Sequence, residues 1–285
     1  MKDKICLVTG ANSGIGKATA LGLAKMGANV VMVCRDRTRG EEARTEIKAA
    51  SNNPSIDLML ADLSSQASVR QLAQDFQEKY QLLHVLVNNA GVAPMKRSLT
   101  VDGLETTFAV NHLAPFLLTN LLLDVLKASG PSRIVNVSSS AHTRTKMDFD
   151  DLQGQKNFSM FRTYSQSKLA NVLFTYELDR KLKGTGVAVN ALHPGVVRTN
   201  LGRDMAGIVR LGFLAMGLFI RTPEQGAVTC VYLASSPEVE GVTGKYFVNK
   251  REVASSRESY DEAVARRLWE VSEQLTQLAS THSTR

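Results

Sequence analysis

The sequence has few cysteines, and their positions suit neither a disulfide framework nor a metal site. Only three occur among 285 residues, at Cys6, Cys34 and Cys230. The number is odd, the spacings are wide and no pair has the spacing of metal ligands, so no metal site is expected. Because cysteine is commonly buried as a small apolar residue, we expect three free thiols in the core and a reducing compartment.

Long apolar runs are also missing. The nearest approach to a membrane span is "LGFLAMGLFI" at 211–220, which Arg210 and Arg221 flank. A spanning helix needs about 20 apolar residues, so this run is too short. No apolar signal region precedes Ile5, where the first predicted strand begins. We therefore predict a cytoplasmic protein without a transmembrane segment.

The chain has no block of like charge, no linker rich in proline, serine or glycine, and no internal repeat. The formal net charge is +7, and acidic and basic residues alternate along the chain. This pattern argues against a nucleic-acid partner, whereas a mild basic balance suits an anionic small molecule. With 44 % hydrophobic residues, the chain can bury a sizeable core. We predict one domain over residues 1–285.

Short apolar runs alternate with helical patterns. The predicted strands are 5–9, 29–34, 56–60, 84–89, 133–138, 187–192 and 245–248. Helices are predicted at 16–27, 39–50, 66–80, 112–129, 164–183, 223–235 and about 258–278. Most strands are continuously apolar, as in parallel sheets that are buried on both faces. The pattern predicts an α/β class, doubly wound Rossmann fold with a mainly parallel, seven-stranded sheet and helices on both faces.

Three glycines stand between the first strand and the first helix. Gly10, Gly14 and Gly16 form the pattern G-x-x-x-G-x-G in "VTGANSGIGKA". A helix N-terminus has unpaired N–H groups and a partial positive charge, and small residues let a pyrophosphate approach it. We interpret this turn as a dinucleotide site. A tight turn without a ligand is the alternative.

The end of the second strand bears on which dinucleotide binds. In such folds an acidic residue there binds the ribose hydroxyls, whereas an arginine accommodates a 2′-phosphate. Here Cys34 occupies the strand end, Arg35 follows and Asp36 comes next. Arginine can pair with phosphate in a bidentate manner. We therefore predict NADP(H) rather than NAD. The alternative is a solvated, charged helix start with no cofactor role.

Seven short motifs follow one another along the chain. They are "TGANSGIG" (9–16), "ADLSS" (61–65), "NNAG" (88–91), "VNH" (110–112), "VNVSSSA" (135–141), "YSQSK" (164–168) and "HPGVVRT" (193–199). This ordered set resembles the short-chain dehydrogenase/reductase family from about Lys4 to Gly244. The stretches "SKLANVLFTYEL" and "GTGVAVNALHPGVVRT" are most similar to its retinol-dehydrogenase-like branch.

Tyr164 and Lys168 are the central candidates for catalysis. They stand at i and i+4, so they share one helix face. A free tyrosine has a pKa near ~10, and a neighbouring ammonium lowers the pKa of the phenol. Tyr164 is thus a plausible general acid/base. The resemblance implies the same role, and it implies that Lys168 holds the nicotinamide ribose. A surface Tyr–Lys pair is the alternative.

The resemblance implies two further catalytic residues. It selects Ser139, rather than Ser138 or Ser140, to hydrogen-bond the substrate oxygen, with a turn-capping serine as the alternative. It assigns Asn111 to hold a water near the lysine, with an ordinary helix N-cap as the alternative. We interpret His193 as a strand-end residue because it lacks the partners of a triad.

We expect cofactor contacts from the glycine turn, from four strand ends and from the catalytic helix. The residues are Gly10, Asn12, Ser13, Gly14, Ile15, Gly16, Arg35, Asp62, Leu63, Asn89, Ala90, Gly91, Tyr164, Lys168, Pro194, Gly195, Val197 and Thr199. The resemblance implies that Asp62 accepts from the adenine amino group and that Asn89, Ala90 and Gly91 line the adenosine ribose. It places Thr199 near the nicotinamide amide.

The apolar segment 200–222 resembles the family's substrate cover. Its methionine, phenylalanine and leucine content indicates an adaptable, apolar pocket, although a membrane-surface or partner-binding patch at 205–220 is an alternative. The predicted function is an NADP(H)-dependent oxidoreductase that acts on the CH–OH group of a small to medium apolar, retinoid-like substrate. The alternatives are an NADP(H)-sensing or scaffold protein and a nucleotide-sugar epimerase or dehydratase. The resemblance implies a dimer or tetramer.

Overall fold

The computed structural model describes residues 1–197 and 221–278. The strands are β1 (Ile5–Thr9), β2 (Asn29–Cys34), β3 (Ile56–Leu60), β4 (Val85–Asn88), β5 (Ser132–Val137), β6 (Val187–His193), β7 (Lys245–Val248) and β8 (Arg251–Glu252). The helices are α1 (Gly14–Lys25), α2 (Arg37–Ser51), α3 (Gln66–Lys79), α4 (Thr106–Phe108), α5 (Ala114–Leu121), α6 (Leu123–Ala128), α7 (Met160–Lys181), α8 (Pro223–Ser235) and α9 (Glu262–Thr276).

The described strands form one sheet in the order β3-β2-β1-β4-β5-β6-β7-β8. Every neighbouring pair is parallel except β7 and β8. The chain starts in the middle of the sheet, winds out to β3 and then returns to β4 on the other side of β1. The carboxyl ends of β1 and β4 therefore border a crevice, where α/β sheets bind their ligands.

Helices cover both faces of the sheet. On one face, α3, α5 and α7 supply buried side chains such as Phe76, Phe116 and Phe174. On the other, α1, α2 and α8 supply Leu23, Ile47 and Leu233. This two-sided burial explains why the strands are continuously apolar, and it confirms the predicted doubly wound Rossmann fold. The three cysteines are free and buried, as predicted.

The predicted number of seven strands is wrong, because β8 adds an eighth. It pairs antiparallel with β7 through a tight turn in which Asn249 and Lys250 adopt φ values of 54° and 63°. Its two residues, Arg251 and Glu252, are exposed. They carry no apolar signal, so the sequence pattern could not reveal them.

The predicted helix 112–129 is in fact interrupted. A π-helical turn over Ala109–Leu113 leads into α5, and Leu122 separates α5 from α6. Within the two described ranges, no helix combines the length and apolar character needed to span a bilayer.

Candidate active site

The glycine turn lies at the carboxyl end of β1 and leads into α1. Gly10 and Gly14 have φ values of 66° and 54°, in the left-handed region that favours glycine. A Cβ on Gly16 would lie 2.3 Å from the carbonyl oxygen of Gly10. The start of α1 is therefore packed directly against the turn backbone, and the third glycine is required by that close approach.

The N-terminus of α1 is open to an anion. Within the described residues, the side chain of the N-cap residue Ser13 makes no capping bond, and the first turn of α1 has no acidic side chain. By contrast, Asp36 caps α2 and Ser65 caps α3 through their side chains. The N–H groups at the start of α1 thus keep their donor capacity and the positive end of the helix dipole. This arrangement fits the pyrophosphate of a dinucleotide.

The loop after β4 braces the glycine turn. The Asn89 side chain donates to the carbonyl of Thr9 at 2.8 Å. In return, the Thr9 hydroxyl accepts from the backbone N–H groups of Asn89, at 2.9 Å, and Ala90, at 3.0 Å. Asn12 and Ile15 lie in the turn and first turn of α1 that these bonds support. The predicted residues of β1 and β4 therefore lie together at the crevice.

Gly91 connects this loop to the catalytic candidates. A Cβ at this position would lie 3.3 Å from Oδ1 of Asn111 and 3.5 Å from Nζ of Lys168. Gly91 is thus in contact with the two side chains that were predicted to act together. The crevice at β4 is continuous with the site on α7.

Lys168 is buried beneath the carboxyl end of β5. Its side chain is held by a 3.0 Å hydrogen bond from Nζ to the carbonyl oxygen of Val137, and the Ser138 hydroxyl donates to the Lys168 carbonyl at 2.7 Å. Burial lowers the pKa of Lys168 to about 8. An ammonium carries three donors, so donors remain for the hydroxyls of a bound ribose.

Tyr164 lies one turn before Lys168, and its hydroxyl lies near the side chain of Ser139. Burial raises the pKa of Tyr164, while the neighbouring Ser139 side chain acts to lower it. That the ammonium of Lys168 lowers the pKa of this phenol stays a prediction. Nζ of Lys168 lies 5.6 Å from the centre of the ring and donates to the main chain, so desolvation decides the direction.

The three consecutive serines have different environments. Ser138 is buried and bonded to the carbonyl of Lys168, whereas Ser140 is exposed. Ser139 is partly exposed, accepts from the N–H of Ala141 at 3.2 Å and lies near the Tyr164 side chain. Among these three described serines, only Ser139 both lies near Tyr164 and is partly open to a ligand.

Asn111 lies in the π-helical turn and is fully buried. Its Oδ1 accepts from the N–H of Val92 at 2.7 Å, and its Nδ2 donates to the Val92 carbonyl and to the Ser167 hydroxyl, both at 3.0 Å. The N-cap position of α5 is Leu113, so Asn111 is not an ordinary N-cap. Instead, it joins the loop after β4 to α7.

At the end of β2, the three residues that bear on cofactor choice have different environments. Cys34 is buried, and burial raises the pKa of its thiol to about 11. The Asp36 carboxylate accepts from the N–H of Arg39 at 2.9 Å and so caps α2. Arg35 is exposed next to them. The acidic group is directed to the helix end, which leaves the arginine side chain free at the strand end.

Asp62 and Leu63 follow β3. One oxygen of the Asp62 carboxylate accepts from both the N–H and the hydroxyl of Ser64, at 3.0 and 2.7 Å. Leu63 packs against the core. Asp62 thus has a local turn-forming role in addition to the adenine contact that was predicted for it.

The loop after β6 packs on the glycine turn. Gly195 has a φ of 90°, and the N–H of Arg221 donates to the Val196 carbonyl at 2.8 Å. A Cβ on Gly226 would lie 2.6 Å from Val197 and 3.2 Å from Ile15. Val197 and Ile15 therefore lie on either side of Gly226 near the start of α1, and the cofactor contacts of Pro194, Gly195 and Val197 stay predictions. Thr199 and segment 200–220 of the predicted cover lie outside the described residues.

Two histidines lie near these strand ends. His193 ends β6, and burial together with the nearby Arg221 lowers its pKa to about 4. That agrees with its interpretation as a strand-end residue. His142, three positions after Ser139, contacts the serine directly at 2.7 Å. The sequence reasoning missed His142, because a single histidine after a strand carries no distinctive spacing.

Comparisons with known proteins agree with this geometry. The model of the family described as short chain dehydrogenase matches residues 4–206. Human retinol dehydrogenase 14 is 48% identical over 96% of this chain and 86% of that protein. Mouse retinol dehydrogenase 13 is 48% identical over 98% of this chain and 85% of that protein.

Solved structures show the same fold. A putative uncharacterized protein from Mycobacterium paratuberculosis has a TM-score of 0.79 and 35% identity, over 97% of this chain and 94% of that one. The Pseudomonas aeruginosa RhlG/NADP active-site complex has a TM-score of 0.72 and 28% identity, over 91% of this chain and 97% of that one. With the family match covering more than half of its length, this chain belongs to the short-chain dehydrogenase family.

Proposed function

We propose that this protein is an NADP(H)-dependent oxidoreductase that interconverts an alcohol and a carbonyl on an apolar, retinoid-like substrate. Its family and its similarity to retinol dehydrogenases make it an oxidoreductase of alcohols and carbonyls. The observation that carries the proposal is the grouping of Ser139, Tyr164 and Lys168 beside the open N-terminus of α1.

Each catalytic candidate has a distinct task. When bound, the nicotinamide cofactor supplies or accepts the hydride. Ser139 and Tyr164, whose side chains are neighbours, both hydrogen-bond the substrate oxygen. Tyr164 gives its proton to that oxygen in reduction and takes one from it in oxidation. Lys168 directs its remaining donors to the ribose hydroxyls, and Asn111 fixes the loop that faces it.

NADP(H) is favoured by the end of β2. The carboxylate of Asp36 is engaged in capping α2, where it accepts from the N–H of Arg39. Arg35 is exposed and can pair with a 2′-phosphate, and the neutral thiol of Cys34 leaves room for it. One similar solved structure is named as an NADP complex. The remaining cofactor contacts, from Gly10 to Val197, are part of the same proposal.

The substrate class is proposed from relatives and composition. Retinol dehydrogenases 13 and 14 are named for a long apolar alcohol. The methionines, phenylalanines and leucines of segment 200–222 are suited to cover such a molecule. A cytoplasmic location, a single domain and a homo-oligomeric state stay predictions.

A cofactor-absorbance assay tests the proposal. The purified protein is given NADPH or NADH with a panel of carbonyls that includes retinal and short aldehydes. We expect faster oxidation of NADPH with the apolar carbonyls, and oxidation at least about a hundredfold slower with Tyr164→Phe. Cofactor binding without turnover of any panel member would favour the sensing or scaffold alternative. Conversion of a nucleotide sugar without net cofactor oxidation would favour the epimerase.

A further inference from the structure

His142 is a buried histidine that belongs to none of the predicted sets of site residues. It lies in the short helical turn Ser140–Arg144, directly after Ser139, and is 1 % exposed. Its Nδ1 lies 2.7 Å from the carbonyl oxygen of Ser139, and its Nε2 lies 3.0 Å from the backbone nitrogen of Ser256. The side chain therefore joins the catalytic serine to a segment 114 positions away in sequence.

The two contacts determine the tautomer of the ring. The backbone N–H of Ser256 can only donate, so Nε2 of His142 accepts and carries no proton. A neutral imidazole then has its proton on Nδ1, which donates to the Ser139 carbonyl. Burial lowers the pKa of His142, which keeps the ring neutral.

Within the described residues, His142 alone donates to the carbonyl of Ser139. Besides the Nδ1–H, this carbonyl accepts from the backbone N–H of His142 at 3.2 Å. The imidazole in turn packs on the ring of Tyr246 in β7, with centroids 4.8 Å apart. The Ser139 backbone is thus anchored to β7 and to the loop before α9 through one side chain.

We propose that His142 is a positioning residue, which holds the Ser139 main chain so that its hydroxyl stays aligned with that of Tyr164. This inference rests on the proposed function, because the alignment matters when both hydroxyls bind one substrate oxygen. A small displacement of a reacting group can reduce turnover by about a hundredfold. We expect the effect of His142 on turnover to depend on its hydrogen bond to the Ser139 carbonyl.

Three substitutions of His142 distinguish the effects of its two hydrogen bonds, to the Ser139 carbonyl and from the Ser256 N–H. His142→Asn can place an amide N–H near the position of Nδ1 and keep the bond to Ser139. His142→Gln can place an amide oxygen near the position of Nε2 and keep the bond from Ser256. His142→Phe keeps the packing on Tyr246 and loses both bonds. We expect kcat to fall about ten- to a hundredfold in His142→Phe and His142→Gln, with partial recovery in His142→Asn. KM and cofactor Kd should stay unchanged.

His84 provides a matched control. Its Nδ1 accepts from the backbone N–H of Ile5 at 3.0 Å, so it also anchors a backbone through an imidazole. It lies at the amino ends of β1 and β4, opposite the site. His84→Phe should lower thermal stability and leave kcat unchanged. If His142→Phe lowers kcat no more than His84→Phe, or if His142→Asn behaves like His142→Phe, the inference is overturned.

A second readout does not depend on turnover. In protein labelled with ¹³C at tyrosine Cζ, the Tyr164 resonance is identified by its loss in Tyr164→Phe and titrated in each variant. Because the neighbouring Ser139 side chain acts to lower the pKa of Tyr164, misplacing Ser139 should raise that pKa further in His142→Phe. If the wild type shows no turnover but the pKa of Tyr164 still rises in His142→Phe, the proposed function is contradicted and the positioning role is supported. A Tyr164 titration identical in wild type and His142→Phe overturns the positioning role.

Discussion

At the scale of single residues, the phenol of Tyr164 is the group to which we assign the proton transfer. It lies near Ser139, and Lys168 lies beside its ring. Burial raises the pKa of Tyr164, so the free chain holds this phenol protonated at neutral pH. That state suits reduction, in which the tyrosine gives its proton to the carbonyl oxygen. Oxidation needs the phenolate and should therefore become faster as the pH rises.

Tyr164→Phe removes the hydroxyl and keeps the ring. We expect turnover to fall by at least about a hundredfold, the usual contribution of a general acid or base. The alkaline rise of kcat/KM for alcohol oxidation should disappear with it. Cofactor Kd, measured by fluorescence titration, serves as the control and should hardly change. Turnover near that of the wild type would contradict the role of Tyr164.

Arg35→Ala tests cofactor choice. A hydrogen bond to a charged group contributes roughly 1.5–3 kcal/mol, so NADP should bind about ten- to a hundredfold more weakly in the variant. Binding of NAD, which lacks the 2′-phosphate, should be almost unaffected. Titration calorimetry gives Kd for both cofactors. An equal loss of both, or a wild type that prefers NAD, would show that Arg35 does not contact the phosphate.

At the scale of elements, the site depends on how closely the start of α1 approaches the β1 turn. Gly16→Ala places a methyl group 2.3 Å from the carbonyl oxygen of Gly10, so backbone must move. We expect loss of cofactor binding, measured by titration, together with reduced thermal stability. Gly22→Ala is the matched control on the same helix, because its Cβ meets only the side chain of Val231, at 2.7 Å. It should cost stability but leave cofactor Kd unchanged.

The individual strands and helices also show how much of the fold could be predicted from the sequence alone. Strands buried on both faces, such as Val30–Val33 in β2, are continuously apolar and were predicted with correct bounds. β8 has two exposed residues and no such signal. The π-helical turn around Asn111 depends on its bonds to Val92 and Ser167, which are distant in sequence. The contact between His142 and Ser256 likewise depends on the tertiary fold. Local sequence motifs predicted the candidate reactive side chains, but they did not predict the residues that hold those side chains in place.

At the scale of the whole molecule, α9 closes the core on the side of α5 and α7. Trp269 is 7 % exposed, and its ring lies 4.9 Å from that of Phe116 and 5.8 Å from that of Phe174. Nζ of Lys181 lies 4.6 Å above the indole. His112, next to Asn111, is bonded to Ser272 of α9 at 2.8 Å. The last described helix is therefore part of the same packed unit as the site.

Trp269→Ala should lower the free energy of unfolding by about 3–5 kcal/mol, as expected for truncation of a buried aromatic residue. Urea unfolding followed by circular dichroism measures this loss. Arg266→Ala, on the exposed side of the same helix, removes a surface ion pair with Glu262 and should cost less than about 1 kcal/mol. Similar losses in the two variants would show that the contacts of α9 with α5 and α7 contribute little to stability.

The open N-terminus of α1 has a consequence for the life of the protein in a cell. Under the proposed function, the dinucleotide accepts from the N–H groups at the start of α1, which no described side chain caps, and so stabilises the folded state. A ligand at a hundredfold excess over its Kd stabilises the fold by about 2.7 kcal/mol. We therefore expect NADPH to raise Tm in wild type and in Tyr164→Phe, and to leave Tm unchanged in Gly16→Ala. The abundance of the enzyme would then follow the supply of its own reductant, since a starved cell exposes more of the unfolded chain to proteases.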